Sequence, residues 1–249
     1  MSVLPDLTQS TVFQVQAGGA AAAAPGLRAP LRLRYFDCRG LAETTRYLLA
    51  IGGVKYEDER FPFTFGTPGD FTTVKRPEFD AAQEAGAFVA GMGKVPLLEV
   101  DGVPISQSKA IERYVARALG MAGVSELETA QMDAVAEHVR DIKQAYQPCR
   151  NIEDAAEKAA AMATWFDQTL PEFSRKLEVS LPSCVSHIHP DQINHAQVTL
   201  YAFYHGFFDN KEGALRAVAD CPRISHICTV VHDHPAVQAW EQTRPETDF

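Results

Sequence analysis

The spacing of apolar residues changes once along this chain, and that change constrains the fold more than any other feature. Up to about residue 106, the segments that alternate apolar with polar residues carry the two-residue period of strands. Beyond residue 124 every apolar pattern has the three- and four-residue steps of helices. A chain of 249 residues has room for one large domain or two small ones. The switch predicts two: an α/β unit over 31–120 and an all-helical unit over 124–249, with no internal repeat.

In the first unit, Leu31, Arg32, Leu33, Arg34, Tyr35 and Phe36 alternate apolar with charged residues and predict a strand. The chain passes through Asp37, Cys38, Arg39 and Gly40 into a predicted helix over 41–51. There Leu41, Leu48 and Leu49 share a face, and Gly52 and Gly53 form the stop. Residues 55–61 read as a second strand, so the crossover between two parallel strands is right-handed. Residues 62–93 read as irregular apart from a short helix near 77–85. Residues 95–100, the turn Asp101-Gly102 and residues 103–105 predict a tight hairpin. The following helix carries Ile111, Val115, Ala118 and Leu119 on one stripe and ends at Gly120.

The second unit opens with Ser125 followed three residues later by Glu128, a capping box. The helix it heads places Met132, Val135, Val139, Ile142 and Tyr146 on one face, with Asp133, Glu137 and Asp141 on a polar stripe. A second long helix is expected over about 152–179, kinked at Pro171. Asn194 with Gln197 reads as the cap of a helix over 198–208, and a last helical pair covers 222–232 and 235–242.

Bulk properties narrow the function. A net charge of −9 and a pI near 5.4 argue against nucleic acid or an anionic membrane as main partner. No stretch reaches the ~20 apolar residues of a membrane span. Five cysteines without a CxxC pair or zinc spacing suit a reducing compartment, and the expected location is cytoplasmic. Residues 1–30, with an alanine run at 20–24, one acid (Asp6) and one arginine (Arg28), read as a flexible N-terminal extension. The alternative is a plastid or other organelle targeting remnant, although such peptides carry more arginine and serine. His187/His189 and His232/His234 lack a third ligand at sensible spacing, so no metal site is expected.

Three motifs carry chemistry. They are Tyr35-Phe36 through Arg39-Gly40 to Ala42-Glu43, then Lys94-Val95-Pro96 through Asp101-Gly102, then Gln107-Ser108 through Ala110-Ile111 to Tyr114. In this order and spacing they resemble the cytosolic glutathione S-transferases, closest to the sigma class. The likeness runs over roughly 31–249, and the terminal stretch from Arg244 fits it too. The resemblance implies a thioredoxin-like α/β domain binding glutathione, an all-helical domain lining an electrophile site, and a homodimer.

By that resemblance Tyr35 is the catalytic residue. A thiol with a pKa of about 8.5 is only a few per cent thiolate at pH 7, so a donor aimed at the sulfur is required. A phenol with a pKa of ~10 keeps its proton and donates it. Taken alone, Tyr35 reads equally as core, continuing the Leu31/Leu33 face. The resemblance also implies a cis Val95–Pro96 bond that turns the Val95 backbone toward the tripeptide, and a γ-glutamyl carboxylate held by Gln107 and Ser108 at a helix N-terminus. Ser106 or Ser108 acting as a plain cap fits that position as well. Phe71, Lys75 and Lys94 correspond to glycyl-end contacts, and Asp141 to an aspartate that reaches the ligand across a dimer interface. Phe36 and Cys38 border the pocket for a small hydrophobic electrophile, with glutathione as co-substrate and no metal.

This sequence departs from the family pattern at four places. Leu41 stands where an arginine is expected, Phe71 replaces a tryptophan, and 76–92 is about a dozen residues longer. Asn194 and Gln197 replace a hydroxyl–aspartate cap pair. Leu41, Phe71 and the long loop favour a rival reading, a non-catalytic binding or scaffold protein on the same fold. A mixed disulfide at Cys38 is a further family chemistry, set against Tyr35 already standing in the activating position.

Overall fold

The computed structural model describes Leu27 and residues 30–67, 73–188 and 192–247. The expected N-terminal extension (Leu27 and Pro30 apart), Phe71 and His189 therefore lie outside the described residues. Strands β1 (Leu31–Phe36), β2 (Glu57–Phe61), β5 (Leu97–Val100) and β6 (Val103–Ser106) form a four-stranded sheet in the order β2-β1-β5-β6. β1 runs parallel to β2 and antiparallel to β5, so the sheet is mixed, as the motif order implied. The β5–β6 turn has Asp101 at φ 50° and Gly102 at φ 78°, the left-handed pair that closes a two-residue hairpin.

Helices α1 (Glu43–Ile51) and α3 (Ser108–Ala118) cover one face of the sheet. Leu31, Leu33 and Tyr35 of β1 point into that core with Leu48, Leu49, Ile111 and Val115. The alternation of β1 does not make its other face polar and solvated. Arg34 is buried there, 2.6 Å from Glu59 and 4.8 Å from the Phe88 ring centroid. The cause is the 62–93 segment, expected to be irregular around one short helix; that helix is present as expected, and the strand pair before it is the addition. β3 (Thr64–Phe65) pairs with β4 (Val74–Lys75), and α2 (Pro77–Glu84) follows. Phe61, Phe79 and Phe88 then close a second small core, with Phe79 stacked on Phe88 at 4.9 Å.

Leu41 departs from expectation. Gly40 at φ 44° opens a 3-10 turn over Gly40–Ala42, the α-helix begins only at Glu43, and Leu41 is 47% exposed while Leu48 and Leu49 are fully buried. The 3-10 turn has three residues per turn rather than 3.6, so Leu41, which lies within it, leaves the stripe on which its spacing had placed it.

The helical part comprises α4 (Glu126–Arg150), α5 (Ala155–Thr164), α6 (Leu170–Ser180), α7 (Ser183–Ser186), α8 (His195–Gly206), α9 (Lys211–Arg216), α10 (Pro222–Asp233) and α11 (Pro235–Thr243). The expected α4 stripe from Met132 to Tyr146 is buried throughout. Ser125 accepts from the Glu128 N–H, but the Glu128 carboxylate reaches Val124 rather than Ser125. α5 and α6 are one run interrupted by a π-helical turn at Trp165–Thr169, directly before Pro171, whose missing N–H disfavours the regular ladder there. The Asn194/Gln197 box is complete. Among the described residues no helix is long and apolar enough to cross a membrane, and no three His, Cys, Asp or Glu residues group as a metal site.

A buried polar cluster ties the two parts together. Glu43 of α1 accepts from Trp240 Nε1 at 2.9 Å and from Arg244 at 2.7 Å, and pairs with Arg46 at 3.2 Å. Tyr47 donates to Glu241 at 2.6 Å, and Tyr201 of α8 donates to the same carboxylate at 2.8 Å.

Candidate active site

Strand register brings the three motifs to one end of the sheet. Arg34 lies opposite Leu97, and Leu97 opposite Ser106. The residues just outside these pairs therefore meet at that edge: Tyr35 and Phe36 ending β1, Val95 and Pro96 preceding β5, Gln107 following β6. Ligand sites at such strand ends are a general property of sheets flanked by helices.

Tyr35 is buried, and its hydroxyl oxygen accepts the Leu41 N–H at 3.0 Å. Burial pushes its pKa well up and the Cys38 thiol pushes the same way; the Leu41 N–H and the Arg46 guanidinium oppose this without reversing it. The phenol is therefore neutral at physiological pH and keeps a proton to give, and no described residue accepts that proton. Gly40 makes this placement possible. A Cβ there would stand 2.6 Å from the Tyr35 hydroxyl and 2.7 Å from Cε1. The turn is fastened from behind by Arg46, fully buried, which pairs with Asp58 at 3.1 Å and donates to the Cys38 carbonyl at 2.7 Å.

Beside Tyr35 opens a cleft of about 600 Å³ between the two parts. Phe36, Cys38 and Leu41 border it as neighbours of Tyr35, and Phe63 and Val74 extend its apolar wall. α4 contributes Gln147 and Arg150, and Phe207, just past α8, completes it. Cys38 is 6% exposed and burial chiefly pushes its thiol up to about 11, so it stands in the cleft as a protonated thiol rather than a nucleophile.

The Val95–Pro96 bond is cis; Pro96 is buried and Val95 half-buried. Gln107 adopts φ 71°, an unusual conformation for a residue with a side chain, and immediately precedes α3. No side chain caps the first turn of α3, so neither Ser106 nor Ser108 plays the plain capping role there. Lys94 is exposed on the approach to β5. Lys75 is exposed too, but strand alternation sends Val74 and Arg76 into the cleft while Lys75 is not part of its lining. Asp141 lies on the exposed side of α4, 3.7 Å from Arg140, and does not line the cleft of its own chain.

The motif reading left out Gly40 as a spacer for Tyr35, the Leu41 N–H, Arg46, Arg76, Arg150 and Phe207. Gly40 and Arg46 carried a signal, a glycine and a cation within ten or so residues of the tyrosine. The Leu41 N–H is a backbone group and carries no residue-type signal, and Arg76, Arg150 and Phe207 have no local signature because they reach the cleft from elements distant in sequence.

Residues 31–117 match the family described as glutathione S-transferase, N-terminal domain, and residues 140–244 match glutathione S-transferase, C-terminal domain. The hematopoietic prostaglandin D synthase of Gallus gallus is 33% identical over 222 residues, covering 87% of this chain and 97% of that protein. Glutathione S-transferase S1 of Drosophila melanogaster is 27% identical over 223 residues, covering 87% and 79%. Among solved structures, monomeric Na-GST-3 of Necator americanus, a glutathione S-transferase, superposes with a TM-score of 0.69 at 26% identity, covering 88% of this chain and all of that one. By its two matched domains and by a relative that it parallels over nearly its whole length, this chain belongs to the glutathione S-transferase family.

Proposed function

We propose that the protein is a tyrosine-type, sigma-like glutathione transferase in which Tyr35 holds the glutathione sulfur as thiolate for attack on an electrophile in the adjoining cleft. One observation carries this: the Tyr35 hydroxyl accepts from the Leu41 N–H and retains a proton that no described residue takes up. Accepting one hydrogen bond polarises the O–H, and burial removes competing water, so the donor is aimed and strong where a sulfur anion would sit. The Leu41 N–H thus supports the tyrosine at the position where the family pattern has an arginine.

In this reading the Val95 backbone pairs with the cysteinyl residue of the tripeptide. Gln107 and Ser108 take the γ-glutamyl carboxylate at the uncapped start of α3, where N–H groups and the helix dipole favour an anion. Lys94, Lys75 and Phe71 serve the glycyl end, and Asp141 of the partner subunit reaches the γ-glutamyl amine in a homodimer. The electrophile class includes conjugation substrates, peroxides and endoperoxides; it meets Phe36, Cys38 and Phe207.

The test is the ultraviolet thiolate absorbance of bound glutathione near neutral pH, in wild type and Tyr35→Phe. A thiolate band in wild type, absent in the variant, with kcat lowered by about 10² or more, supports the mechanism. Glutathione bound as a thiol in both sinks it and favours the non-catalytic reading that Leu41 raises. Sedimentation of wild type and Asp141→Asn, with glutathione KM for each, tests the cross-subunit contact.

A further inference from the structure

The cleft is apolar on most of its surface, yet it carries two guanidiniums, one from each part of the molecule. Arg76 comes from the segment that is longer than the family pattern, and Arg150 is the last residue of α4. None of the described residues lining the cleft is acidic, on a chain whose net charge is −9. Arg76 is a built feature. Its guanidinium carbon lies 5.8 Å from the Phe36 ring centroid and 4.7 Å from that of Phe79, and its Nε is 3.0 Å from Asp80. The Phe61/Phe79/Phe88 core that orders this segment therefore also fixes where Arg76 points. Arg150 lies one turn beyond Gln147, and both face the cleft.

We propose that Arg76 and Arg150 determine specificity by binding the carboxylate of an amphipathic acidic electrophile, whose apolar body lies along Phe36, Phe63 and Phe207. The inference rests on the transferase reading of the cleft. It assigns the anion to the electrophile rather than to glutathione, because among the described residues assigned to the tripeptide only Tyr35, at the sulfur, lines this cleft; Lys75, Lys94, Val95, Gln107 and Ser108 do not. Guanidinium suits the task, since its planar donors match a carboxylate and it stacks on aromatic faces without losing charge.

The experiment compares 4-chloro-3-nitrobenzoate with its uncharged methyl ester; the ester also activates the ring more strongly, a difference that cancels when the acid-to-ester ratio is compared between wild type and variants. In each, the glutathione thiolate forms a C–S bond at the ring carbon that bore chlorine, the C–Cl bond breaks, chloride leaves, and the thiol proton passes to solvent. The ratio of kcat/KM for acid over ester is measured in wild type, Arg76→Gln, Arg150→Gln and the double variant. The expected result is a ratio lowered severalfold by each substitution and about tenfold or more by both. A ratio within about twofold of wild type overturns the proposal. So does an equal fall for both probes accompanied by a raised glutathione KM, which would give the arginines to the tripeptide. Titration calorimetry of acid and ester without glutathione separates this proposal from the transferase reading. Wild type binding the acid more tightly than the ester, with that preference lost in the double variant, sustains the proposal even if no turnover is seen. Absence of a preference overturns it.

Discussion

Replacing Gly40 by alanine tests the placement of the Tyr35 hydroxyl directly. The added Cβ would lie 2.6 Å from the hydroxyl oxygen, whereas ordinary contact begins at 3.4 Å, so the gap to be opened is 3.4 − 2.6, or 0.8 Å. The Tyr35 ring cannot retreat freely, because it is 7% exposed and packed edge-on to Phe36 at 5.7 Å. The turn must move instead, lengthening the 3.0 Å bond from the Leu41 N–H. A misplacement approaching 1 Å at a reacting group costs on the order of 10²-fold in rate. The left-handed backbone at φ 44° adds about 1 kcal/mol of destabilisation, or roughly 2–4 °C in Tm for a chain of this size. Gly53→Ala is the control: it has φ 62° and nothing within 4 Å of its added Cβ, so it carries the backbone strain without the contact. Turnover of a chloronitrobenzene and the bound-thiolate absorbance should fall steeply in Gly40→Ala only, and Gly40→Ala should lose more Tm than Gly53→Ala, because it adds the contact with Tyr35 to the shared backbone strain. Activity in Gly40→Ala within about threefold of Gly53→Ala would refute the argument.

Three further outcomes are expected. Burial opposes ionisation of Glu43, but Arg46 and Arg244 with the bonds from Trp240 and Arg244 outweigh it and hold the carboxyl below its usual range. A depressed carboxylate contributes stability that is complete above its unfolded pKa near 4.5 and is lost as pH falls toward the folded value. Glu43→Gln should therefore lower Tm at pH 7 and flatten the acid limb of the Tm–pH curve; an unchanged acid limb would count against this. Lys143 lies 4.6 Å from the Phe207 ring centroid with no carboxylate in ion-pair range among the described residues, and burial, then Lys109, lower it to about 7. Because the unfolded chain keeps that proton to higher pH, stability should rise between about pH 7 and 10. Lys143→Met should remove that rise and increase Tm at pH 7, as chemical denaturation across the range would reveal. Asn194→Ala should cost about 2 kcal/mol in urea unfolding, since it removes the cap on the Gln197 N–H and the donor to the Cys184 carbonyl; a loss below about 0.5 kcal/mol would contradict the capping account.

Much of this molecule was legible in the sequence because the determining interactions are local. The Asp101-Gly102 turn, the Asn194/Gln197 box, the apolar stripe of α4 and the placement of Tyr35 at a strand end all depend on residues within a few positions of one another. Their spacing therefore reports them. Leu41 misled for a local reason as well: it falls in a 3-10 turn ahead of the α-helix, and spacing alone cannot register that. What tertiary structure decided is what the cleft presents. The strand that chooses Arg76 over Lys75 is two residues long, too short for a readable period, and its phase is set by pairing with Thr64 and Phe65. Arg34 and Arg46, charged residues in apparently amphipathic segments, are buried because distant elements close over them: the Phe79/Phe88 segment on one face, and on the other Asp58 of β2 with α11. Phe207 and Arg150 meet Tyr35 only when the helical part docks on α1 through Glu43 and Trp240. Sequence spacing specifies each element and its faces; which faces meet follows from long-range packing, where the cost of burying charge is balanced by partners far along the chain.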